Sequence, residues 1–442
     1  MTVLTFRRVS TGHCIDTNKR KVPSPSPAHS ELPEWYRTLS DRHGNRGAGT
    51  STVKMCRPFG DALRLGYIIP SPEKIRISVS GNGVEASSTI VSVYDHETSG
   101  GALNDGNSVF QLPQFELSIP WEIQAPPECG VLVTRPLNRS VHGLSPYSIY
   151  LDDSSGGKRL TVPARVEQEI VTIDRGEPLL QVIPFYTDSL LNKADHRNLS
   201  NYDNVLDNHE YHDTMSSARL DWYRTERWQK KQLSSLTEKD VNKSESQEEF
   251  SKDTIPLYAK ATHFGVSRRP ISAEKMIPET YRIELVDEGP VSTEVGEQMI
   301  AAMSLGFITR TTGETTVTQA DNSVEVSSEY SNQLVSKMMD VKLGDKIDGV
   351  NRRAFTVQEQ WVPKPPEGYS VLFTHPMNHC QTKYRAYSGL SDADKYLVTA
   401  NHPGLIRIKD GTTVTLDDNM PVGQLLPIHR NGFVTEATVQ RS

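Results

Sequence analysis

Residues 121–139 read WEIQAPPECGVLVTRPLNR, and residues 361–379 read WVPKPPEGYSVLFTHPMNH. The two stretches have the same length and lie 240 residues apart. Seven positions are identical: Trp121/Trp361, Pro126/Pro366, Val131/Val371, Leu132/Leu372, Thr134/Thr374, Pro136/Pro376 and Asn138/Asn378. A match of this length within one chain predicts that the chain contains two copies of one structural unit.

Two further blocks support a duplication. Upstream, the residues around Gly66 recur around Gly306 at the same displacement of 240 residues. Downstream, a segment centred on Gln181 recurs around Gln424, where the displacement is 243 residues. Three blocks in one order with nearly constant spacing indicate an internal duplication.

The segments within each copy are short and β-like. Apolar and polar residues alternate in 74–80 and in 323–328, and Gly, Pro, Asn and Asp fill the gaps between such segments. This pattern is typical of β-sandwiches and barrels. We therefore predict an all-β fold: two tandem homologous β-sandwich or β-clip-like domains with a connecting helix. Within the copies, helices are expected at 58–65 and 295–305, and a strand at 281–286.

The composition along the chain suggests four parts. Residues 1–53 are rich in Pro and Gly and are predicted to form an extended N-terminal arm. The first β-domain is predicted at 54–190 and the second at 254–442. Residues 191–253 are predicted to hold a helix, at 217–233, followed by a polar flexible linker.

Five aromatic residues outside the predicted domains are candidates for binding a partner: Trp35, Tyr36, Trp222, Tyr223 and Trp228. Three of them lie on the predicted helix at 217–233, among basic residues. Packing within the chain, a protein interface and nucleic-acid binding all fit that helix. The first pair either packs on its own domain or reaches a neighbouring subunit.

Charge and composition narrow the function classes. The net charge of -7 and the pI near 6.0 argue against general nucleic-acid binding, which needs clustered basic residues. The four cysteines show no zinc-site spacing, and no apolar run has the length of a membrane span. We expect a protein without cofactor or metal, made in a reducing cytoplasm.

The shared block itself offers two kinds of candidate residue. Asn138 and Asn378 are expected to cap turns through their side chains. His375, His379 and Cys380 lie close together and resemble metal ligands, but Pro376 argues against a helix that would align them. We expect these three residues to lie in a solvent-facing loop rather than to bind metal.

The segment SGLSDADKY at 388–396, taken with the proline-flanked segment 421–427, resembles the paired motifs of dUTPase-like β-clip folds. The resemblance implies that Asp392, Asp394 and Tyr396 are catalytic: an aspartate would activate water and the tyrosine would stack on the base. The matching stretch of the first copy is expected at 143–147, which contains no aspartate. A nucleotide hydrolase with a degenerate first domain is therefore an alternative function.

Segments 56–72, 366–378, 388–396 and 176–185 together resemble a family of uncharacterised proteins of tailed bacteriophages, notably those of cyanobacterial and other marine hosts. The resemblance implies a virion protein assembled in the host cytoplasm, with capsid or tail subunits as partners and possible homo-oligomers. With no sequence signature of the common catalytic classes, the favoured function is a non-enzymatic structural component such as a capsid decoration, collar or tail protein. A host-surface or carbohydrate-binding module remains a further alternative.

Overall fold

The computed structural model describes most of both repeats. The described residues are 3–9, 22–40, 42–43, 50–51, 53–80, 83–94, 110–139, 141–152, 159–198, 254–259, 268–287, 290–320, 323–328, 335–336, 352–357, 361–363, 365–379, 384–393, 404–409 and 413–440. The predicted helix at 217–233, with Trp222, Tyr223 and Trp228, lies outside these residues, as does the predicted linker.

The first repeat and the segment that follows it contain sixteen strands and two α-helices among the described residues. The strands are β1 Leu4–Arg8, β2 Ser26–Pro27, β3 Arg42–His43, β4 Thr50–Ser51, β5 Tyr67–Pro70, β6 Ile75–Ser80, β7 Gly83–Ser87, β8 Val91–Val93, β9 Phe115–Gln124, β10 Cys129–Thr134, β11 Leu144–Pro146, β12 Ile149–Leu151, β13 Arg159–Val166, β14 Ile170–Ile173, β15 Pro178–Tyr186 and β16 Lys193–Asn198. The helices are α1 Glu34–Thr38 and α2 Arg57–Arg64.

The second repeat contains fifteen strands and two α-helices among its described residues. The strands are β17 Thr254–Ala259, β18 Ile271–Ser272, β19 Phe307–Arg310, β20 Thr315–Ala320, β21 Ser323–Ser328, β22 Val335–Ser336, β23 Arg352–Val357, β24 Trp361–Pro363, β25 Tyr369–Thr374, β26 Tyr384–Ala386, β27 Gly389–Ser391, β28 Gly404–Lys409, β29 Thr413–Leu416, β30 Pro421–His429 and β31 Ala437–Gln440. The helices are α3 Glu279–Val286 and α4 Thr293–Met303. No described helix is long and apolar enough to cross a membrane.

The chain is built mainly of β-strands, which confirms the predicted all-β fold, and two sheets have the same strand order in both repeats. One sheet of the first repeat has the order β12-β10-β15-β5-β2, and the second repeat has β27-β25-β30-β19-β18. A three-stranded sheet β14-β6-β7 likewise matches β29-β20-β21. The largest sheet of the first repeat has the order β11-β13-β9-β1-β31, with β8 also paired to β9, and it faces β10 and β15 across one buried core. Alternate residues of β9, such as Leu117 and Ile119, enter this core because successive side chains point to opposite faces.

The repeats exchange strands. In the first repeat, β1 pairs antiparallel with β9 on one side and parallel with β31 on the other, although β31 follows β30 of the second repeat. In the second repeat, β17 pairs antiparallel with β24 and parallel with β16, which follows β15 of the first repeat. Each repeat therefore completes a sheet of the other.

The helices also cross between repeats. Helix α2 of the first repeat packs on β27 of the second, and α4 of the second packs on β12 of the first. Tyr281 and Leu285 of α3, with Met299 of α4, join the main apolar core of the first repeat. A separate core is shared by matching residues of both repeats, including Leu132 and Leu372. The repeats thus form one interlocked unit with pseudo-two-fold symmetry.

The turn from helix to strand has the same construction in both repeats. Helices α2 and α4 each run into a glycine with positive φ, Gly66 at 68° and Gly306 at 67°. A Cβ atom at either glycine would overlap a backbone carbonyl oxygen, that of Val182 or of Leu425. Only glycine accepts this backbone conformation and this close approach together.

A buried glutamine fastens each of these turns. Gln181 donates from Nε2 to the carbonyl oxygen of Leu65 at 2.6 Å and accepts from the Leu137 N–H at 2.7 Å. Gln424 makes the same bonds, to Leu305 at 2.6 Å and from Met377 at 2.8 Å. The repeated Gln therefore joins the end of the helix to the C-terminal part of the Trp-containing block.

Two parts of the fold differ from what the sequence predicts. Residues 281–286, predicted as a strand, belong to helix α3, which follows Pro278 as α1 follows Pro33. The range predicted as an extended arm contributes β1 to a sheet and α1 to an aromatic cluster, and β16 lies in the range predicted as helix and linker.

Candidate functional site

Two asparagines join the repeats at the pseudo-two-fold axis. Asn138 donates from Nδ2 to the carbonyl oxygen of Ser388 at 2.7 Å, and its Oδ1 accepts from the Ser388 N–H at 2.8 Å. Asn378 makes the same pair of bonds with Ser148, at 2.9 and 2.6 Å. Both asparagines are buried, and both have positive φ. We call these four bonds the asparagine clasp.

The asparagine clasp differs from the predicted turn capping, and it gives a reason why both repeats retain asparagine. The sequence predicts that these side chains cap a turn, whereas their amide groups bind the backbone of the opposite repeat. Positive φ suits asparagine better than most residues other than glycine. The two retained asparagines therefore combine a left-handed backbone with an inter-repeat bond, which explains why both copies keep this residue type.

A cavity of about 60 Å³ lies at the clasp. Its lining consists of 134–139 and 145–148 from the first repeat and of 374–379 and 385–388 from the second. Every lining residue has its counterpart 240 positions away in the lining, so the cavity straddles the pseudo-two-fold axis. We refer to it as the axial cavity.

The charges around the axial cavity are not symmetric. Arg135 and Arg385 line it, and both approach the same carboxylate oxygen of Glu167. The Arg385 Nη2 donates to this oxygen at 3.1 Å, and the Arg135 Nη1 lies 3.9 Å from it. The counterparts of the two arginines, His375 and Ser145, are a histidine and a neutral hydroxyl. Positive charge is therefore concentrated on one side of the axis.

Arg139 and His379 occupy matching positions with different roles. Arg139 donates to the carbonyl oxygens of Glu31, Ala28 and Leu63, and its burial lowers its pKa to about 10. It therefore stays charged near neutral pH and holds the segment before α1 against the end of α2. His379 packs its ring against Phe110 at a centroid distance of 4.7 Å, and burial lowers its pKa to about 4.

The predicted solvent-facing loop around His375 and His379 is wrong, because His379 is buried. The Nδ1 atom of His375 accepts from the Ala386 N–H at 3.3 Å, and Nε2 lies 3.2 Å from the His379 carbonyl oxygen. Both ring nitrogens of His375 thus lie within hydrogen-bond distance of backbone groups. The described residues contain no group of three potential metal ligands, and Cys380 lies outside them.

Asp392, the first residue of the alternative catalytic set, lies in an ion cluster between the repeats. Its carboxylate accepts from the Ser370 hydroxyl at 2.8 Å and lies 3.6 Å from Arg430. Arg57 of α2 in the other repeat is 3.8 Å away and also pairs with Asp61, whose pKa is raised by burial. Asp394 and Tyr396, the other two residues of the set, lie outside the described residues.

The structure also corrects the expected counterpart of Asp392. Strand β27 ends at Ser391 opposite Val371, and β12 ends at Leu151 opposite Val131. Because β12 and β27 are equivalent, Asp392 corresponds to Asp152 and not to a residue in 143–147. The first repeat therefore has an aspartate at this position.

Trp35 and Tyr36, the two described residues predicted to bind a partner, contact residues of their own chain. Tyr36 is 4% exposed and stacks on Phe59 of α2 at a centroid distance of 6.2 Å. Phe59 in turn meets Tyr387 of the second repeat at 5.7 Å. Trp35 is partly buried and packs against the same aromatic cluster.

Comparison with known proteins gives distant similarity to solved structures only. No protein-family model matches the chain, and no curated protein sequence matches it. Among solved structures, the chain is similar to the 2'-deoxycytidine 5'-triphosphate deaminase of Agrobacterium tumefaciens, at 9% identity and a TM-score of 0.28. The similarity covers 88% of this chain and 92% of that chain. At this TM-score the similarity says nothing about function.

Proposed function

We propose that the chain is a non-enzymatic structural or interaction component of a tailed-phage virion, such as a capsid decoration, collar or tail protein. The observation that carries the structural role is the interlocking of the repeats by exchanged strands and the asparagine clasp. Such an arrangement favours a rigid body with two nearly equivalent faces. A rigid pseudo-dimer suits positions of local two-fold symmetry in a larger assembly.

The polar residues that both repeats retain support this role. Asn138 and Asn378 form the clasp, and Gln181 and Gln424 brace the helix ends. Asp392 is engaged by Ser370 and by arginines of both repeats, so its carboxylate contributes to the junction between them. Each retained group is thus occupied by a bond that stabilises the fold.

The outer strands provide the contact surfaces of the proposal. Strands β31 and β16 end their sheets among the described residues, and they occupy matching places in the two repeats. Val439 of β31 is 38% exposed. An exposed strand edge can accept a strand from another protein through backbone hydrogen bonds. Two equivalent edges would allow contact with capsid or tail subunits, or with a second copy of this chain.

The placement in a virion rests on the resemblance of the sequence to tailed-phage proteins. It is tested by mass spectrometry of particles of the phage that carries the gene, purified through two different density gradients. We expect peptides of this chain to co-purify with the major capsid protein at a fixed ratio through both gradients.

Peptides found in the infected lysate but absent from purified particles would overturn the virion role. The enzymatic alternative is measured separately, with a panel of nucleotides and magnesium. Turnover that disappears in an Asp392→Asn variant would overturn the non-enzymatic assignment, and we expect no turnover in either protein.

A further inference from the structure

The contact between the repeats joins two equivalent residues that differ in size. Gly432 ends a short 3-10 helix after β30, and Ser189, 243 positions earlier, ends the equivalent one after β15. The two residues meet across the pseudo-two-fold axis, because a Cβ atom at Gly432 would overlap the Cβ and Oγ atoms of Ser189. The φ of Gly432 is not positive, so glycine is needed here for space and not for backbone conformation. One serine and one glycine therefore fit where two serines do not.

The contact of α2 with β27 shows the same kind of difference. A Cβ atom at Gly389 of β27 would lie 3.3 Å from the Cβ atom of Pro58 of α2. The residue equivalent to Gly389 is Ile149 of β12, which is fully buried. Strand β12 receives α4 instead of α2, and the residue of α4 equivalent to Pro58 is Gln298. A Cβ atom beside Pro58 is already a close contact, so an isoleucine at this place would displace the helix.

An ion pair across the contact also distinguishes the repeats. The Arg385 Nη2 donates to a carboxylate oxygen of Glu167 at 3.1 Å, and the two side chains are 11% and 23% exposed. Strand β28 pairs with β26 in the register in which β13 pairs with β11, and this register gives Lys409 the position of Glu167. A second copy of the second repeat would therefore have a lysine in place of the carboxylate that binds Arg385. A guanidinium that loses its carboxylate in a partly buried place destabilises the contact.

We propose that the contact face of each repeat is selective for the opposite repeat and rejects a second copy of its own. A first repeat paired with itself in this geometry would place serine against serine and Ile149 against Pro58. A second repeat paired with itself would place glycine against glycine, and Arg385 would lose its carboxylate. Only the mixed pair satisfies all three contacts. Selectivity of this kind depends on the contacts that fail in the wrong pair as well as on those made in the right one.

The asparagine clasp does not contribute to this selectivity. Both repeats carry the same asparagine and the same serine, so the four bonds of the clasp could form equally in a mixed pair or in a self-pair. The clasp therefore sets the geometry of the contact, and the residues that differ between the repeats set the choice of partner. The partner that each face fits is the opposite repeat, whichever copy of the chain supplies it.

Refolding of the cut chain tests the proposal. A specific protease site is inserted in 234–253, the full chain is cut, and the two fragments are unfolded together in urea and refolded by dilution. Native mass spectrometry distinguishes the mixed pair from the two self-pairs by mass. Random pairing would give equal total amounts of mixed pairs and self-pairs, whereas we expect mixed pairs in at least about tenfold excess. A smaller excess would overturn the proposal.

Exchange of two residues in the intact chain tests the contact between Ser189 and Gly432. Gly432→Ser should lower the melting temperature by at least about 4 °C, because two serines overlap. Ser189→Gly alone should lower it slightly, since it removes the hydrogen bond that the hydroxyl donates to the Tyr186 carbonyl oxygen. In the Gly432→Ser protein the same substitution should raise it, because the exchanged pair again contains one serine and one glycine.

The reversal of sign separates a specific contact from general damage, which would make the double variant the least stable of the three. If Gly432→Ser alone does not fold, we expect the double variant to fold. A double variant no more stable than Gly432→Ser would contradict the proposal. If the cut fragments do not refold after dilution, the comparison of these variants decides.

Discussion

Each asparagine of the clasp must meet several structural requirements at once. Asn138 must adopt positive φ, stay buried and bond both backbone groups of Ser388. Among the common residues, only asparagine, aspartate and glycine adopt this backbone readily, and of these only asparagine offers both a donor and an acceptor. The side chain thus determines how the two repeats register against each other.

Replacing Asn138 by glycine keeps the backbone conformation but leaves the buried N–H and C=O of Ser388 without their partner. Each lost bond to a buried group costs about 1–3 kcal/mol, so we expect a loss of about 2–4 kcal/mol in the free energy of unfolding. Asn138→Ala should cost about 1 kcal/mol more, because alanine disfavours positive φ. Urea unfolding followed by circular dichroism measures both.

Asn419→Gly is the matched control for the clasp. Asn419 also has positive φ, 67°, but it is exposed, so water can replace the bond that it accepts from Arg310. We expect its substitution to cost less than about 1 kcal/mol. An Asn138→Gly variant no less stable than Asn419→Gly would contradict the structural role of the clasp.

At the level of elements, the turns between helix and strand fix where α2 and α4 lie. Each helix ends beside a buried glutamine, and each is followed by a glycine pressed against the carbonyl oxygen of the opposing strand. Because the helices pack on strands of the other repeat, a displaced turn also displaces an inter-repeat contact. The position of each turn therefore affects both the structure of its own repeat and the contact of that repeat's helix with the other repeat.

Substitution of Gly306 by alanine should cost about 2–5 kcal/mol, from the strained backbone and from the overlap with the Leu425 carbonyl oxygen. Gly176 has φ of 89°, and no atom lies within 4 Å of a Cβ built there. Gly176→Ala should therefore cost only the backbone strain, about 1–2 kcal/mol. Thermal and urea unfolding of the two variants give the comparison; equal losses would exclude a role for the close approach.

Part of this element structure could be predicted from the sequence. The repeated glycine, glutamine and tryptophan blocks revealed the duplication, since their displacement stays near 240 residues. The match between 32–36, LPEWY, and 277–281, IPETY, was missed because its displacement is 245 residues and the motif is short. As a result α1 was assigned to an arm, and 281–286 was predicted as a strand instead of the equivalent helix α3.

The candidate site was only partly predictable, for a related reason. In a duplicated sequence, equivalent hydrogen-bond partners exist in both repeats. The sequence therefore does not show whether a side chain bonds to its own repeat or to the other one. Asn138 and Asn378 were correctly picked out as retained, but the inter-repeat bonds follow from strand exchange, which leaves no pattern in hydrophobic periodicity. The pairing of Arg385 with Glu167 across the repeats, which shapes the axial cavity, was missed for the same reason.

On the scale of the whole molecule, the two repeats are held together by more than the peptide that connects them. Strands β1 and β31, strands β16 and β17, the shared apolar core and the clasp all cross between repeats. Interfaces of this kind, in which each part completes the other's core, resemble those of obligate dimers.

We therefore expect the protein to survive cleavage of the connection. A specific protease site inserted in 234–253, the range predicted as a linker, should allow complete cutting without separation of the two fragments. The fragments should elute together from a size-exclusion column at micromolar concentration and separate only in denaturant. The uncut protein is the control, and separate elution under native conditions would contradict the interlocked arrangement.

Strand exchange also affects the order in which the chain can be completed during synthesis. Thr5 of β1 lies beside Thr438 of β31, 433 residues later. A ribosome must therefore synthesise both repeats before β1 acquires its parallel neighbour, whereas β16 emerges ahead of its partner β17. The sheet that contains β1 is therefore completed last, because translation must reach β31 before β1 has both of its neighbours.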